Sequence, residues 1–346
     1  MAQPSPRTNA PSETRYAGYL LVYFAGDDTP DGEQIRFALS HGNDPLRWHE
    51  LNRGRPVITS AFGTGGLRDP FVVRSPLGTG FHLLATDLRM YPRHADGDAW
   101  ERAQRHGSRH IAVWDSADLV TWTGGRLAEV APRTAGNAWA PKAHGDDESG
   151  MYVIYWASRL WPETDAERTG LAHNVMLWAP TADFRTFGPA QVWYDPGHDV
   201  IDAAVIRHDG VYHRFVKDER PSGVDAPDTQ LIAAQRSHRW CAAPYEPVSA
   251  GIGADVIERG EGPAVFKSNT EDKWYLFIDE FGGRGYVPFE TEDLDSGRWR
   301  PCSDYALPRT PRHGCVLPIT KAEHDRLTGA YGTEADGADL AVRTRP

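Results

Sequence analysis

Three carboxylates stand where apolar, strand-like segments begin. They are Asp69 in RDP (68–70), Asp202 in IDA (201–203) and Glu261 in GEG (260–262). A carboxylate at the start of a buried strand is unfavourable for packing but useful for proton transfer, and glycines beside it let a ligand approach closely. If the three share one pocket, one can protonate a leaving oxygen while another activates water. That is the chemistry of glycoside hydrolysis.

Short strands must position these carboxylates. A capping box of Thr320 and Glu323 predicts one short helix over 320–327, and a turn or two of helix is expected within 95–104. Elsewhere short apolar segments alternate with Gly, Pro, Asn and Asp, which is typical of an all-β chain. An Asp turn, an apolar residue and a strand-initiating aromatic recur at 43–48, 117–122, 182–187 and 292–299. This repeat predicts four-stranded propeller blades.

The number of first strands gives the number of blades. Four segments begin with such a strand, at Leu67, Trp139, Val200 and Glu261. The N-terminal segment 19–51 has outer strands only, and the C-terminal segment 312–319 is a first strand only, so together they complete a fifth blade. The prediction is an all-β, five-bladed β-propeller closed by pairing the N-terminal outer strands with the C-terminal inner strand. Residues 15–330 form its single catalytic domain, after a disordered leader (1–14) and before a C-terminal tail (331–346). First strands line the channel, so the three carboxylates should converge at its axis.

Composition and charge exclude several classes of protein. The net charge of −11 argues against a nucleic-acid partner or an anionic membrane. Three cysteines without CxxC spacing argue against a disulfide framework and a zinc site. No apolar run is long enough to span a membrane, and residues 1–14 lack the apolar region of a signal peptide. The chain as given is therefore predicted to be cytoplasmic, or secreted if its N-terminus is truncated.

Four motifs carry a resemblance to a known family. RDP (68–70), WAP (139–141), ID (201–202) and EGP (261–263), in this order, resemble glycoside hydrolase family 43 over nearly the whole chain. The resemblance implies a five-bladed propeller and an inverting mechanism, with Asp69 as general base, Glu261 as general acid and Asp202 tuning the pKa of the acid. It also places His313 where many members hold a metal or a water cluster. No cofactor is required for the chemistry, but a structural Ca²⁺ on the axis is allowed.

The chain departs from the family pattern beside three of these motifs. Arg68 stands where Ala is common, Ala203 where Pro is common, and Lys142 follows WAP in place of an acid or a polar residue. The catalytic carboxylates are all retained. The departures therefore bear on the substrate more than on the chemistry.

The expected ligand is a carbohydrate. Trp139 is a candidate sugar-stacking platform. Polar or aromatic residues near strand ends are candidates for contacts to sugar hydroxyls: Arg68, Asp87, Trp156, Lys217, Asp218, Asp279, Glu280 and Arg284.

The resemblance favours an exo-acting α-L-arabinofuranosidase that removes terminal pentose or furanose residues from plant-type polysaccharides or oligosaccharides. β-D-Xylosidase and β-D-galactofuranosidase activities remain alternatives, because these sugars differ only in ring form and one hydroxyl or hydroxymethyl group. A glycan-binding propeller without catalysis, and a phosphorylase, are alternatives of other classes.

Overall fold

A computed structural model describes residues 15–76, 78–92, 98–146, 150–221, 229–241 and 244–332. The expected leader (1–14) and most of the expected tail (333–346) lie outside these residues. In the described ranges no helix is long and apolar enough to cross a membrane.

The described residues form twenty strands and two α-helices. In chain order the strands are β1 (Tyr16–Phe24), β2 (Arg36–His41), β3 (Asp44–Glu50), β4 (Leu67–Arg74), β5 (Phe81–Asp87), β6 (His110–Ser116), β7 (Trp122–Glu129), β8 (Trp139–Asp146), β9 (Met151–Arg159), β10 (Asn174–Thr181), β11 (Gln191–Tyr194), β12 (Val200–His208), β13 (Val211–Asp218), β14 (Ile232–Ser237), β15 (Glu246–Ile252), β16 (Glu261–Lys267), β17 (Trp274–Glu280), β18 (Gly285–Thr291), β19 (Arg300–Pro301) and β20 (Arg312–Thr320). The α-helices are α1 (Ala99–His106) and α2 (Lys321–Tyr331), and short 3₁₀ helices cover Leu51–Gly54 and Leu294–Ser296.

The strands form five antiparallel sheets of four. Blade 1 contains β4 to β7, blade 2 β8 to β11, blade 3 β12 to β15 and blade 4 β16 to β19. Blade 5 has the order β20-β1-β2-β3, so the two ends of the described chain share one sheet through the pairing of β1 with β20. The inner strands β4, β8, β12, β16 and β20 contact one another in sequence around the axis. The predicted five-bladed propeller is confirmed.

The core lies between the blades. Five hydrophobic clusters among the described residues each fill one interface between neighbouring blades. Middle strands such as β17 are buried over nearly their whole length, because both faces of a blade pack against another blade. The repeat aromatics Trp48, Trp122 and Trp299 pack in these clusters, as the sequence repeat predicts.

Every inner strand carries a β-bulge near its start. Each has one residue more than the strand it pairs with, between Arg68 and Phe71 in β4 and at equivalent places in β8, β12, β16 and β20. A bulge bends a strand and redirects its side chains. The second residue of the bulge has a positive φ in four blades: Asp69 (51°), Ala140 (49°), Asp202 (58°) and Gly262 (56°).

The described residues contain two α-helices, α1 between β5 and β6 and α2 directly after β20. α2 begins after Thr320, whose side chain and that of Glu323 form the predicted capping box, but the helix continues to Tyr331. Leu327 anchors α2 to the cluster between blades 5 and 1. α1 lies in the connection between β5 and β6, and it starts and ends slightly later than the predicted turn.

Candidate active site

The carboxylates at the axis do not all occupy the same position in their bulges. Asp69 and Asp202 occupy the second bulge position, where positive φ is costly for most residues but tolerated by Asp. Glu261 occupies the first position, and Gly262 follows in the second. Only glycine fits there, because a Cβ on Gly262 would lie 2.5 Å from the His313 ring. The strain at these positions is located at the chemical site, as is common in enzymes.

All three carboxylates converge on one imidazole, that of His313 in β20. Nδ1 lies 2.8 Å from Asp69 Oδ1 and 3.6 Å from Asp202 Oδ2. Nε2 lies 2.9 Å from Glu261 Oε1 and 3.3 Å from Asp279 Oδ2. Burial alone would lower the pKa of His313, but the surrounding carboxylates outweigh it and raise that pKa well above its ordinary value. The ring is therefore an imidazolium that donates from both nitrogens.

Asp69 lies in surroundings that suit a general base. Thr86 Oγ1 donates to Asp69 Oδ2 over 2.6 Å, and the Thr86 hydroxyl itself accepts from the Ala140 N–H over 2.8 Å. Burial acts to raise the pKa of Asp69, but the hydrogen bond and charge of His313, with the charge of Arg68, hold the pKa below its ordinary value. Asp69 is therefore ionised and oriented.

Glu261 contacts three cations. Lys217 Nζ donates to Oε2 over 2.8 Å, and Arg312 donates to Oε1 over 2.6 Å, beside the bond from His313. Burial acts to raise the pKa of Glu261, but these charges lower it well below the ordinary value. Lys217 also contacts Glu219, whose pKa burial raises. These contacts thus favour the ionised form of Glu261, the reverse of the state in which a general acid acts.

Asp202 lies between these two carboxylates and has fewer direct partners. Its Oδ2 accepts from the Gly262 N–H over 3.0 Å. Burial raises the pKa of Asp202, and the charges of Asp69 and Glu261 add to that rise against the opposing charge of His313. Asp202 thus carries the raised pKa of the three, and its bond to Gly262 fixes the segment that bears Glu261.

Aromatic rings form one wall beside Asp69. The Trp139 ring meets that of Trp100 edge to face, with centroids 6.1 Å apart. The Arg68 guanidinium lies 5.1 Å from the Trp100 ring and 4.8 Å from the Phe24 ring, which in turn contacts His313 at 5.8 Å. Trp100 is 43% exposed, so an apolar face is open to a ligand. The structure thus brings Trp139 and Arg68 to the site and adds Trp100 and Phe24.

Three residues expected to bind substrate are engaged elsewhere. Trp156 is fully buried between blades 1 and 2 and donates to Ser158 Oγ over 3.1 Å, so its expected sugar contact is corrected to core packing. Asp87 accepts from the backbone and hydroxyl of Thr64 at 2.7 and 2.8 Å, which braces the loop before β4. Arg284 pairs with Glu280 at the surface over 2.6 Å. None of the three joins the cluster around His313.

The metal site implied through His313 is only partly matched. Ligand atoms of Asp202, Glu261 and His313 lie within 4.8 Å of one another, a spacing that an ion could bridge. The donor set is small for Ca²⁺, which prefers about six to eight oxygen ligands, because this group offers two carboxylates and one imidazole. Lys217 and Arg312 already bring positive charge to Glu261. The residues form a network of ion pairs, and no chemical step is assigned to a metal.

The sequence analysis did not identify the residues that bind and orient the three carboxylates. Thr86, Lys217 and Asp279 stand directly opposite the first bulge residue of β4, β12 and β16, in the neighbouring strands. Lys217 and Asp279 were expected to contact sugar hydroxyls. In the structure Lys217 binds Glu261. Asp279 binds Arg312 and His313. The available signal was positional: polar residues paired with the bulge face the same cluster.

The five-bladed propeller and its buried acidic cluster agree with the resemblance that the sequence motifs carry. Residues 14–325 match the model of the glycosyl hydrolase family 43-related domain, described as "Probable glycosyl hydrolase domain". The chain belongs to this family.

Known relatives support the same grouping. The chain is 32% identical over 314 residues to a protein of Bifidobacterium longum subsp. longum named alpha-L-arabinofuranosidase, covering 82% of this chain but 28% of that protein. The chain therefore spans less than a third of that relative.

Solved structures agree on the fold. The alpha-L-arabinanase of Penicillium chrysogenum, solved with arabinobiose, has a TM-score of 0.52 at 15% identity and covers 90% of this chain and 85% of its own. The similarity to a thermostable family-43 glycoside hydrolase is weaker, with a TM-score of 0.48 at 18% identity over 69% of this chain and 73% of its own.

Proposed function

We propose that this chain is an inverting exo-glycosidase that releases terminal α-L-arabinofuranosyl residues from plant-type polysaccharides or oligosaccharides. The observation that carries the proposal is that Asp69 and Glu261, from different blades, flank the His313 ring at opposite nitrogens. They are separated by an imidazole and two hydrogen bonds. Inverting hydrolysis requires such a separation, because a water must fit between the base and the sugar.

The two carboxylates take different parts in the reaction. Asp69 accepts a proton from a water whose oxygen forms a bond to C1 of the sugar. The bond from C1 to the leaving oxygen breaks, and Glu261 gives its proton to that oxygen. Asp202, held to the Gly262 N–H, positions the segment carrying Glu261 and disfavours its ionisation through like charge.

Glu261 must gain a proton before it can act. Its contacts with Lys217, Arg312 and His313 stabilise the ionised form, so we propose that substrate binding lengthens at least one of them. With fewer cations in contact, burial of the carboxyl group favours the neutral acid. Catalytic hydrogen bonds commonly differ between the free enzyme and its complex.

The sugar that is released lies against the aromatic wall. Trp139 and Trp100 present apolar ring faces beside Asp69, which suits the C–H face of a furanose. The name of the Bifidobacterium longum relative supports arabinofuranose as that sugar.

A panel of aryl glycosides tests the proposal. Purified protein is assayed for nitrophenol release from α-L-arabinofuranoside, β-D-xylopyranoside and β-D-galactofuranoside, with arabino-oligosaccharides tested in parallel. The expected result is hydrolysis of the arabinofuranoside with inversion at C1, lost in Glu261→Gln. Preference for another glycoside would replace the sugar but keep the mechanism. No hydrolysis of any substrate by folded protein, with binding of oligosaccharide intact, would favour a glycan-binding propeller.

A further inference from the structure

A buried lysine crosses the axis of the propeller below the carboxylate cluster. Lys142 lies on the inner strand β8 of blade 2 and is 4% exposed. Its Nζ donates to the carbonyl oxygen of Pro263 over 3.1 Å, and Pro263 belongs to β16 of blade 4. Blade 3 lies between these two blades, so the side chain spans the channel rather than bridging neighbouring strands.

The charged groups around Lys142 come from three further inner strands. Asp202 of β12 and Asp69 of β4 are the carboxylates whose charges act on its ammonium, and the thiol of Cys315 in β20 is the third titratable group. Burial outweighs the charges of these three groups, so the pKa of Lys142 lies below its ordinary value. An ammonium at this position therefore faces every inner strand of the ring, including its own.

The other cations of the site have different carboxylates as their contacts. Lys217 contacts Glu261, and Arg312 contacts Glu261 and Asp279. Among the described residues, Asp202 accepts a hydrogen bond from the Gly262 N–H and lies 3.6 Å from the His313 imidazole. A buried carboxylate needs an opposing charge or several hydrogen bonds. Lys142 supplies positive charge to Asp202 and Asp69 from the channel side.

The hydrogen bond to Pro263 acts on the acid. Pro263 follows Glu261 and Gly262, so the carbonyl that Lys142 holds belongs to the bulge that aims Glu261. The Gly262 N–H is held by Asp202 on the same bulge. Lys142 and Asp202 thus fix the peptide groups on either side of the Gly262–Pro263 peptide, behind the acid.

We propose that Lys142 is a positioning residue for the reaction, which fixes the bulge carrying Glu261 through its hydrogen bond across the axis to the Pro263 carbonyl. The proposal rests on the proposed hydrolysis for its kinetic readout. The side chain does not touch substrate, since it lies below the carboxylates and is buried.

Lys142→Met tests the proposal, because Met keeps the length of the side chain and removes its charge. The expected result is a fall in kcat of about tenfold to a hundredfold with little change in KM, since misplacement of a catalytic group acts on the chemical step. The acidic limb of the pH profile should also move to higher pH, because the pKa of the base rises when a nearby cation is removed. Lys267→Met, at an exposed lysine of β16 paired with Asp272, is the matched control and should behave as wild type.

Lys142→Ala with added ethylammonium supplies the second readout. If the ammonium on the axis is what matters, ethylammonium should raise both the activity and the melting temperature of Lys142→Ala, while ethanol and the Lys267→Met background show no such response. An unchanged pH profile in Lys142→Met, together with no response of Lys142→Ala to ethylammonium, would overturn the proposal.

The two proposals fail in different ways. If wild-type protein hydrolyses nothing in the glycoside panel, the proposed function fails, and the ethylammonium-dependent rise in melting temperature alone decides the role of Lys142. If wild type is active and Glu261→Gln is not, but Lys142→Met has the wild-type pH profile and kcat, only the inference about Lys142 is wrong.

Discussion

Asp69 and Glu261 contact the same imidazole from opposite sides, but their surroundings differ. Asp69 accepts from a neutral hydroxyl and from His313. Glu261 accepts from an ammonium, a guanidinium and His313. The surroundings of Asp69 already match the ionised state of a base, whereas those of Glu261 oppose the neutral state of an acid. Under the proposed roles, Asp69 is already in the state that a base needs, whereas the surroundings of Glu261 must change when substrate binds.

Removing either carboxylate should give the largest effects and separate the two sides. Asp69→Asn and Glu261→Gln should each lower kcat/KM on natural substrate by about 10² to 10⁴-fold, the usual contribution of acid–base catalysis. An aryl glycoside with a good leaving group needs little help from an acid, so it should partly restore Glu261→Gln but not Asp69→Asn. Steady-state kinetics on both substrate types measures this. Glu280→Gln, at the surface partner of Arg284, is the control, and equal rescue of both variants would contradict the assignment of roles.

Lys217→Met should raise the pKa of Glu261 and so favour the protonated form that a general acid needs. The pKa of Glu261 is held down partly by Lys217, so removing this cation raises the pKa. The alkaline limb of kcat/KM, which reports the acid of the free enzyme, should move to higher pH. Lys273→Met, which removes a lysine paired with Glu290, is the matched control. A limb that stays in place would mean that Glu261 is not the group reported there.

The wild-type enzyme should show the change on binding directly. Because kcat reports the enzyme–substrate complex and kcat/KM the free enzyme, the alkaline limb of kcat should lie at higher pH than that of kcat/KM. The comparison needs full pH profiles of both parameters on one substrate. Coincident limbs would show that substrate leaves the contacts of Glu261 unchanged.

His313→Gln should lower the free energy of unfolding by about 3 to 5 kcal/mol, the usual cost of removing one partner from a buried ionic network. The pKa of His313 is raised in the folded state, so its stabilising contribution is complete below its unfolded pKa of about 6.5 and is lost as pH rises through the folded pKa. The difference between wild type and His313→Gln in urea unfolding should therefore be largest near pH 6 and decrease at alkaline pH. A difference that grows with pH would mean that the ring is neutral.

The smallest effects are expected for Trp100, on the aromatic wall, and Trp156, in the core between blades. Trp100→Ala should raise KM and change the free energy of unfolding by less than about 0.5 kcal/mol, because Trp100 is 43% exposed on the aromatic wall. Trp156→Phe should lower that free energy by about 1 to 3 kcal/mol and leave KM unchanged, because the ring is in the core. Chemical unfolding and initial-rate kinetics on the same preparations measure both. A raised KM in Trp156→Phe would return that residue to the substrate site.

The sequence predicted what depends on local pattern. The repeat and its unmatched ends gave the number of blades, and the capping box located the start of α2 at Thr320. The convergence of Asp69, Asp202 and Glu261 followed from placing each at the start of an inner strand.

The sequence did not show which side chains point toward the channel and which point into the core between blades. In a propeller both faces of a middle strand are buried, so alternation cannot tell a channel residue from a core residue, and Trp156 was misplaced for this reason. The partners of Glu261 come from β13 and β20, and Trp100 comes from the connection after β5, so no local pattern joins them. Proton affinity at Glu261 depends on these distant groups.

The repeated bulge suggests how such a site can diversify. Ala140 occupies in blade 2 the same backbone position, with nearly the same φ, that Asp69 occupies in blade 1 and Asp202 in blade 3. The same backbone position therefore recurs in several blades, and its side chain is not the same in all of them. A catalytic group can in this way be gained, lost or moved from one blade to the next by single substitutions, with the propeller itself left unaltered.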